Sequence, residues 1–571
     1  MMKYSKSVAY LLIISSSFIS AQNSPEPLKN FCRRFEHSTA ILNNKLYVDG
    51  GYINSSPQSA NETNPDLLYG DLLTKNEGFP QFYKTPSKPA PLLAGNTLWP
   101  DEINHRLYAF GGYFPSFPKP FQTWTYDTLL SVWTSVPTLN SPTTYLAHGM
   151  SAVAPEAGIA YYWGGWRDGK TDSAWRGKRR YESGMVSFDM VRRRYGKVEG
   201  PPDGYGRAEG WMGFLGISEM GYLVGFGGVW EGEDGEIRGA SMADIYLFDV
   251  ELQKWFYQPA TGDIPSPRIR FCGGIGIAPD KSSYNIYVVG GIDPEMHTNG
   301  FGEVYVLSLP AFVWVRMWPA VGYNVSEYFP VHSMSCNVVN GSQMVILGGF
   351  RPNKTADCDA PNVYGQHGLD MGQTNEANSS WWELSYDGKP YQVPRFVYEV
   401  IGGDASGKAN YTSPMNATAK YNPWIFTKPY RVPTRTPTPI PTVSGAPVSS
   451  HSAPPPISTS SSPTRGVLIG AIVGSIIGGV VLGVAGFYAL SFLRRRMEGK
   501  ERSVEELGRE KEGEKGRRVD EKRVSELVTE EKPREIWVEP VELEGRGVEG
   551  GEGLGRIDEG VDSGESGGKG T

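Results

Sequence analysis

At 571 residues the chain has room for one large domain and several accessory segments, and it is rich in glycine (70) and proline (43), with 12% aromatic residues. That mixture argues against a helical bundle and for many short strands joined by turns. The formal net charge is only -7 with no dominant basic face, which argues against a nucleic-acid partner.

At the N-terminus, Lys3 and Lys6 precede an apolar stretch from Val8 to Ile19, and Ile19 and Ala21 suit the small-residue positions of a signal-peptidase site. The pattern predicts a secretory signal peptide over 1–21, too short to span a membrane.

The next segment repeats itself. A β-rich run ends in paired glycines six times, at Gly50-Gly51, Gly111-Gly112, Gly164-Gly165, Gly227-Gly228, Gly290-Gly291 and Gly348-Gly349, in steps of 61, 53, 63, 63 and 58 residues. A second strand follows each pair and often closes on aspartate: WTYD to Asp127, VSFD to Asp189, IYLFD to Asp249, VYVLSL to Leu309 and WELSYD to Asp387. A further strand carries Trp133, Tyr195, Trp255 or Trp314, and a fourth precedes the glycines, as in HSTAIL from His37 and HSMSCNVV from His332. Four strands per unit make a sheet that cannot bury both faces alone, and radial stacking of such sheets solves that problem. Glycines at a strand end permit close backbone approach, and the aromatics supply apolar area between sheets.

On these repeats the chain resembles the kelch family over residues 31–403. It is also similar to fungal single-span kelch proteins in FCRRFEH (Phe31–His37), LWPDE (Leu98–Glu102), SSYNIYVVGG (Ser282–Gly291), CNVVNGSQMVILGG (Cys336–Gly349) and CDAPNVYGQHGLDMG (Cys358–Gly372). The resemblance implies an all-β, kelch-type β-propeller. Six glycine pairs favour six blades; VYEVIGGD at Val397–Asp404 leaves seven open.

Four cysteines allow two disulfides in an oxidising compartment. Cys336 and Cys358 flank one glycine pair and are expected to pair, leaving Cys32 with Cys272; a Cys32–Cys336 closure across the ring seam is the alternative. Glycosylation sequons stand at Asn54, Asn61, Asn324, Asn340, Asn353, Asn378, Asn410 and Asn416.

A membrane-proximal extension is expected over 404–427, then a Pro/Ser/Thr-rich stalk over 428–465. The uncharged run 466–493, followed by Arg494, Arg495 and Arg496, predicts one transmembrane helix with the C-terminus in the cytoplasm, a type I topology in the plasma membrane or another secretory-pathway membrane. Small residues recur every fourth position there, so self-association through Gly470 and Gly474 is an expectation, with a partnerless span as the alternative. The tail 494–571 reads as disordered, and REIWVEPVELEG within it as a solvated stretch or a docking peptide.

No cofactor is predicted. The copper radical oxidases of the kelch propellers need a Tyr-His pair and a cross-linked cysteine, and this chain has no Tyr-His pair. A sialidase-like site would want an arginine cluster; Arg33, Arg34, Arg268 and Arg270 stand near strand starts, where surface ion pairs are the expectation. The expectation is a non-catalytic surface binding protein for an extracellular glycan or protein. Its candidate ligand residues are Trp99, Asp101 and Glu102 on one loop and Gln366 and His367 on another. The alternative is an ectoenzyme of unidentified chemistry, which a buried carboxylate pair in the central channel would favour.

Overall fold

Each repeat unit becomes a small antiparallel sheet, because its alternating β-branched and aromatic runs are broken by tight turns. The computed structural model describes residues 28–437 apart from 298–299, 320–330, 353–354, 356, 373–374, 376–378, 386–387, 417–422, 427 and 432–434. The expected signal peptide, transmembrane run with Gly470 and Gly474, cytoplasmic tail and most of the stalk lie outside the described residues, as do Asn324, Asn353 and Asn378. Among the described residues no helix is long and apolar enough to cross a membrane.

The first sheet is built from Ser38–Leu42, Lys45–Asp49, Leu68–Asp71 and Phe82–Lys84. The second uses Ala94–Asp101, Arg106–Tyr113, Trp124–Asp127 and Val132–Ser135; the third Met150–Ala154, Ile159–Trp163, Met185–Asp189 and Arg194–Val198. The fourth holds Trp211–Leu215, Tyr222–Phe226, Asp244–Asp249 and Lys254–Pro259. The fifth holds Cys272–Ile277, Tyr284–Val289, Val304–Leu309 and Val313–Trp318, with Thr261–Gly262 pairing in parallel on its outer edge. The sixth has Ser335–Val339, Gln343–Leu347 and Gln366–Asp370, and Trp381 adds only a bridge to Leu369. WELSYD is therefore not the third strand of its unit, as its aspartate suggested; QHGLD takes that place.

One apolar layer fills each gap between consecutive sheets. Leu42 meets Leu107, Trp99 meets Phe188, Trp163 meets Phe248, Phe226 meets Trp314, and Tyr287 meets Met344. The sixth layer brings Leu46 and Val48 against Val345 and Leu347, so the last sheet packs on the first. Full burial of one such side chain is worth roughly 1.5–3 kcal/mol, and this layering is consistent with a kelch-type propeller.

Backbone hydrogen bonds repeat the same circuit twice. The second glycine of each pair donates to a carbonyl of the next unit: Gly51 to Leu93, Gly112 to Leu146, Gly165 to Arg207, Gly228 to Arg268, Gly291 to Val331 and, returning to the start, Gly349 to Arg34, at 2.7–3.0 Å. Two residues further along lies a second circuit of N–H donors and carbonyl acceptors, Gly95 to Glu36, His148 to Gly95, Glu209 to His148, Arg270 to Glu209, Ser333 to Arg270 and Glu36 to Ser333, at 2.8–3.1 Å. The glycine requirement follows directly. Gly111 sits at φ 67, and a Cβ there would fall on the Leu146 carbonyl oxygen that Gly112 bonds.

Arg395–Ile401 is an α-helix entered from Pro394 and ended by Gly402, with Val397 and Ile401 buried four residues apart on one face. VYEVIGGD is thus not a seventh-blade strand. Beyond the helix the chain crosses the ends of the inner strands remote from the second circuit. The Lys408 N–H bonds Asp280 (2.6 Å), Arg431 pairs with Glu219 (3.0 Å), the Tyr430 hydroxyl donates to Glu156, and Arg435 reaches Pro155 (2.6 Å) and Asp101 (3.1 Å). These partners lie on the first turns of the fifth, fourth, third and second sheets. Within the stretch expected to start the stalk at residue 428, Tyr430, Arg431 and Arg435 are bonded to the folded unit.

The disulfides are Cys32–Cys358 and Cys272–Cys336, with Cα atoms 4.4 and 5.4 Å apart. The expected Cys336–Cys358 pair does not form. Cys336 lies on the innermost strand of the sixth sheet, beside that of the fifth, whereas Cys358 lies on the connection that reaches the seam with the first sheet.

Two stability outcomes follow. Gly204 has φ 73 and open space around it, so Gly204→Ala should cost only the left-handed backbone, about 1–2 kcal/mol, and Gly111→Ala several times as much. Equal losses in urea unfolding would show that contact with the neighbouring carbonyl is not the constraint. Serine replacement of Cys32–Cys358, which closes 326 residues, should cost about 1.5 kcal/mol more than replacement of Cys272–Cys336, which closes 64. The same titration checks this, and the reverse order would refute the loop-entropy account.

Candidate functional site

Six residues make the inner circuit: Glu36, Gly95, His148, Glu209, Arg270 and Ser333, with φ 56, 62, 53, 66, 54 and 59. Five of them stand two residues ahead of an inner strand. Left-handed backbone in non-glycine residues is strained and marks places where the surrounding structure over-determines the chain. Here the turn brings residues of all six units to one cavity of about 140 Å³, also lined by His37 and Asn96.

The backbone repeats and the side chains do not. Arg270 comes from the fifth unit and lies between two carboxylates, its Nε 2.8 Å from Glu209 and its Nη1 3.0 Å from Glu36. Both carboxylates are nearly buried, with side chains 5% and 9% exposed, while Arg270 is a quarter open to the cavity. The Tyr113 hydroxyl donates to Glu36, and His148 Nε2 lies 3.5 Å from the same carboxylate. The imidazole packs against both Tyr113 and Trp166, at centroid distances of 5.8 and 5.9 Å, and those two rings are 5.5 Å from each other.

Electrostatics fix the charge states. Burial alone would raise Glu36, but the Arg270 guanidinium, His148 and Tyr113 override it and hold the carboxyl well below its ordinary range. Glu209 is likewise pushed up by burial and pulled down to about 2, chiefly by Arg270. Burial brings His37 down to about 3 and His332 to about 4, so both imidazoles are neutral at neutral pH. The cluster offers a fixed guanidinium and two ionised carboxylates, and neither carboxyl has a proton to give at neutral pH. Among the described residues no group of three or more His, Cys, Asp or Glu side chains could hold a metal ion.

The residues expected to bind ligand are elsewhere. Trp99 is 1% exposed in the layer between the second and third sheets, stacked on Phe110 at 4.6 Å, its indole N–H donating to Ser151 at 2.7 Å. It has no ring face to offer a sugar, which corrects its expected role as a stacking platform. Asp101 is buried and accepts from Asn104 (2.6 Å) and Arg435 (3.1 Å), and Glu102 is exposed on the turn. Gln366 is buried against the Pro80 and Val363 carbonyls, and His367 Nε2 meets Asp359 at 2.7 Å. Moreover the two groups lie at opposite ends of the sheets. Gln366 pairs with Leu347 beside the glycines, whereas Asp101 closes the far end of its strand.

The arginines expected in surface pairs are also elsewhere. Arg34 and Arg268 are each 1% exposed and face the rings of Phe31 and Phe301, at 5.1 and 4.2 Å. Burial brings Arg34 down to about 10 against the pull of Asp359. Arg33 is 5% exposed and donates to the Thr355 and Pro57 carbonyls. Sequence reasoning thus missed the inner-circuit cluster, whose available signal was its constant place ahead of the inner strands. Among the sequons, Asn61, Asn340, Asn410 and Asn416 are exposed. Asn54 is corrected: it is 2% exposed and its amide nitrogen already donates to Ser59, Ala60 and Asn61.

The pH dependence has a definite sign. Glu36 and Glu209 are depressed in the folded state, so their contribution is complete above the ordinary carboxyl value of 4.5 and is lost as pH falls through the folded values, for Glu209 between 4.5 and about 2. Arg270→Ala leaves two buried carboxylates without their cation and should cost about 3–5 kcal/mol. In that variant Tm should rise as pH is lowered from neutrality, whereas the parent should not gain. Parallel acid slopes for the two proteins would contradict the assignment.

Comparison with known proteins gives one informative relative. No family model matches the chain. A kelch repeat-containing protein of Arthroderma benhamiae (strain ATCC MYA-4681 / CBS 112371) is 27% identical over 460 residues, covering 69% of this chain and 66% of that protein. The chain therefore spans just under two thirds of the relative's own length. The solved structure of YjhT aligns with 57% of this chain and 94% of that one, at 14% identity and a TM-score of 0.40. The relative, together with the six glycine-paired units, supports the kelch-repeat family for this chain.

Proposed function

We propose that this chain is a non-catalytic, six-bladed kelch-type propeller of the cell surface that binds an extracellular protein or glycan on the face bearing the channel mouth. The observation that carries the reading is the cluster of Arg270 between Glu36 and Glu209. Its donors and acceptors are held in place by the backbone circuit, and its carboxyls are kept ionised, which suits recognition of polar groups better than proton transfer. Among the described residues of the C-terminal segment, Lys408, Arg431 and Arg435 are bonded at the opposite ends of the inner strands. Two disulfides agree with an oxidising compartment. The similarity to a kelch repeat-containing protein favours a binding role.

An ectoenzyme is the second reading, favoured by the same two buried carboxylates at the channel mouth. One experiment separates them. The purified full-length chain is screened against arrays of extracellular proteins and wall polysaccharides, and in parallel for hydrolysis or oxidation of the same glycans. The expected result is a saturable ligand whose binding is weakened about tenfold or more by Arg270→Lys, which keeps the charge and loses the two-sided geometry, and is unaffected by Glu102→Ala on the far side. Turnover of a glycan that Arg270→Lys abolishes would establish the enzyme instead.

A further inference from the structure

A second site lies away from the channel mouth, at the junction of the third and fourth sheets. A pocket of about 460 Å³ opens there, within the range of roughly 300–1,000 Å³ of small-molecule sites. Trp163 belongs to the third sheet; the other lining groups used below, Asp203, Tyr205, Arg207, Trp230, Asp244 and Tyr246, come from the fourth unit. The strands Gly206–Ala208, Val229–Glu231 and Ile237–Gly239 form a separate small sheet that carries Arg207 and Trp230. The pocket therefore rests on hydrogen-bonded strands and not on loops alone.

Its polar groups are already arranged. Arg207 meets Asp203 through both terminal nitrogens, at 2.9 and 2.7 Å. The Tyr246 hydroxyl donates to Asp203 and accepts from Arg207, both at 2.9 Å. The aromatic groups are half-buried, apart from Trp163, which is 1% exposed and whose indole N–H has no protein partner.

These features select a ligand class. An anion would meet Asp203 and Asp244 with only one guanidinium, and that one is already paired. A cation would be repelled by the guanidinium groups already over the rings, Arg207 over Trp163 at 5.5 Å, Tyr205 at 6.0 Å and Tyr246 at 4.8 Å, and Arg238 over Trp230 at 5.3 Å. A neutral polyhydroxylated ring has neither problem. Its C–H faces pack on aromatic side chains, and its hydroxyls both donate and accept, matching the oriented carboxylate, guanidinium and phenol. We infer that this pocket binds a neutral oligosaccharide. The inference rests on reading the chain as a binding protein, and assigns it a saccharide subsite distinct from the channel mouth.

The test is titration of the full-length chain with neutral gluco-, manno- and chito-oligosaccharides, followed by tryptophan fluorescence and calorimetry. At least one series should bind saturably and independently of added salt. Trp230→Ala and Asp203→Asn should each weaken it about tenfold or more, while Trp230→Phe keeps most of the affinity and Arg270→Lys all of it. Absence of binding by every neutral series, unchanged affinity in both variants, or binding only of charged oligosaccharides would each overturn the assignment. A ligand captured by the parent chain and weakened by Arg270→Lys but not by Trp230→Ala would refute the pocket and leave the binding reading standing. Capture of no ligand at all would defeat both.

Discussion

The hydrogen bond from the second glycine of each pair to a carbonyl of the next unit is the constraint on which the rest of this structure depends. It joins sheets that, among the described residues, are separate, and it requires two backbones to approach more closely than a Cβ allows. The residue two positions beyond that carbonyl turns left-handed and bonds its own counterpart in the next unit, so the two circuits form a single belt. Buried backbone donors must find partners. In a stack of separate sheets, the belt is how those at the inner edges do so.

Such a belt separates geometry from chemistry. All six positions of its inner circuit share one backbone conformation, yet they carry two glutamates, an arginine, a histidine, a serine and a glycine. The arginine stands between the two acids from the first and fourth units, so charges far apart in sequence neutralise one another across the axis. A Cβ at Gly95 would fall on the His148 imidazole, so glycine there makes way for that ring. The six side chains differ while the backbone conformation that presents them stays the same.

Much of the scaffold was legible in the sequence because its cause is local and repeated. Paired glycines recur in all six units for the same steric reason, and outer-strand aromatics such as Trp133 and Trp314 take corresponding places in the sheets that have a fourth strand, whereas the aspartate rule fails at Leu309 and misplaces WELSYD. The site was less legible because its members share a position and not a residue type. Glu36 and Arg270 look unrelated until their backbones are superposed. Trp99 misled because a tryptophan beside two acids reads as a binding loop, while strand alternation turns its ring into a layer between sheets. The cysteine pairing failed because nearness in sequence was taken for nearness in space; Cys358 meets Cys32, 326 positions away. VYEVIGGD misled through its glycines, although Pro394 and the spacing of Val397 and Ile401 give it a helix.

The seam between the sixth and first sheets carries a consequence for biosynthesis. The Glu36 N–H is satisfied by Ser333 and the Arg34 carbonyl by Gly349, so the earliest sheet to leave the ribosome has an incomplete inner edge until almost all of the ring has been made. Its Leu46 and Val48 wait over the same interval for Val345 and Leu347. An exposed apolar flank and unpaired polar backbone are what chaperones hold and what aggregates recruit. Cys32 and Cys358 stand at this junction, so oxidation there turns a closure that could reopen into one that is covalently latched.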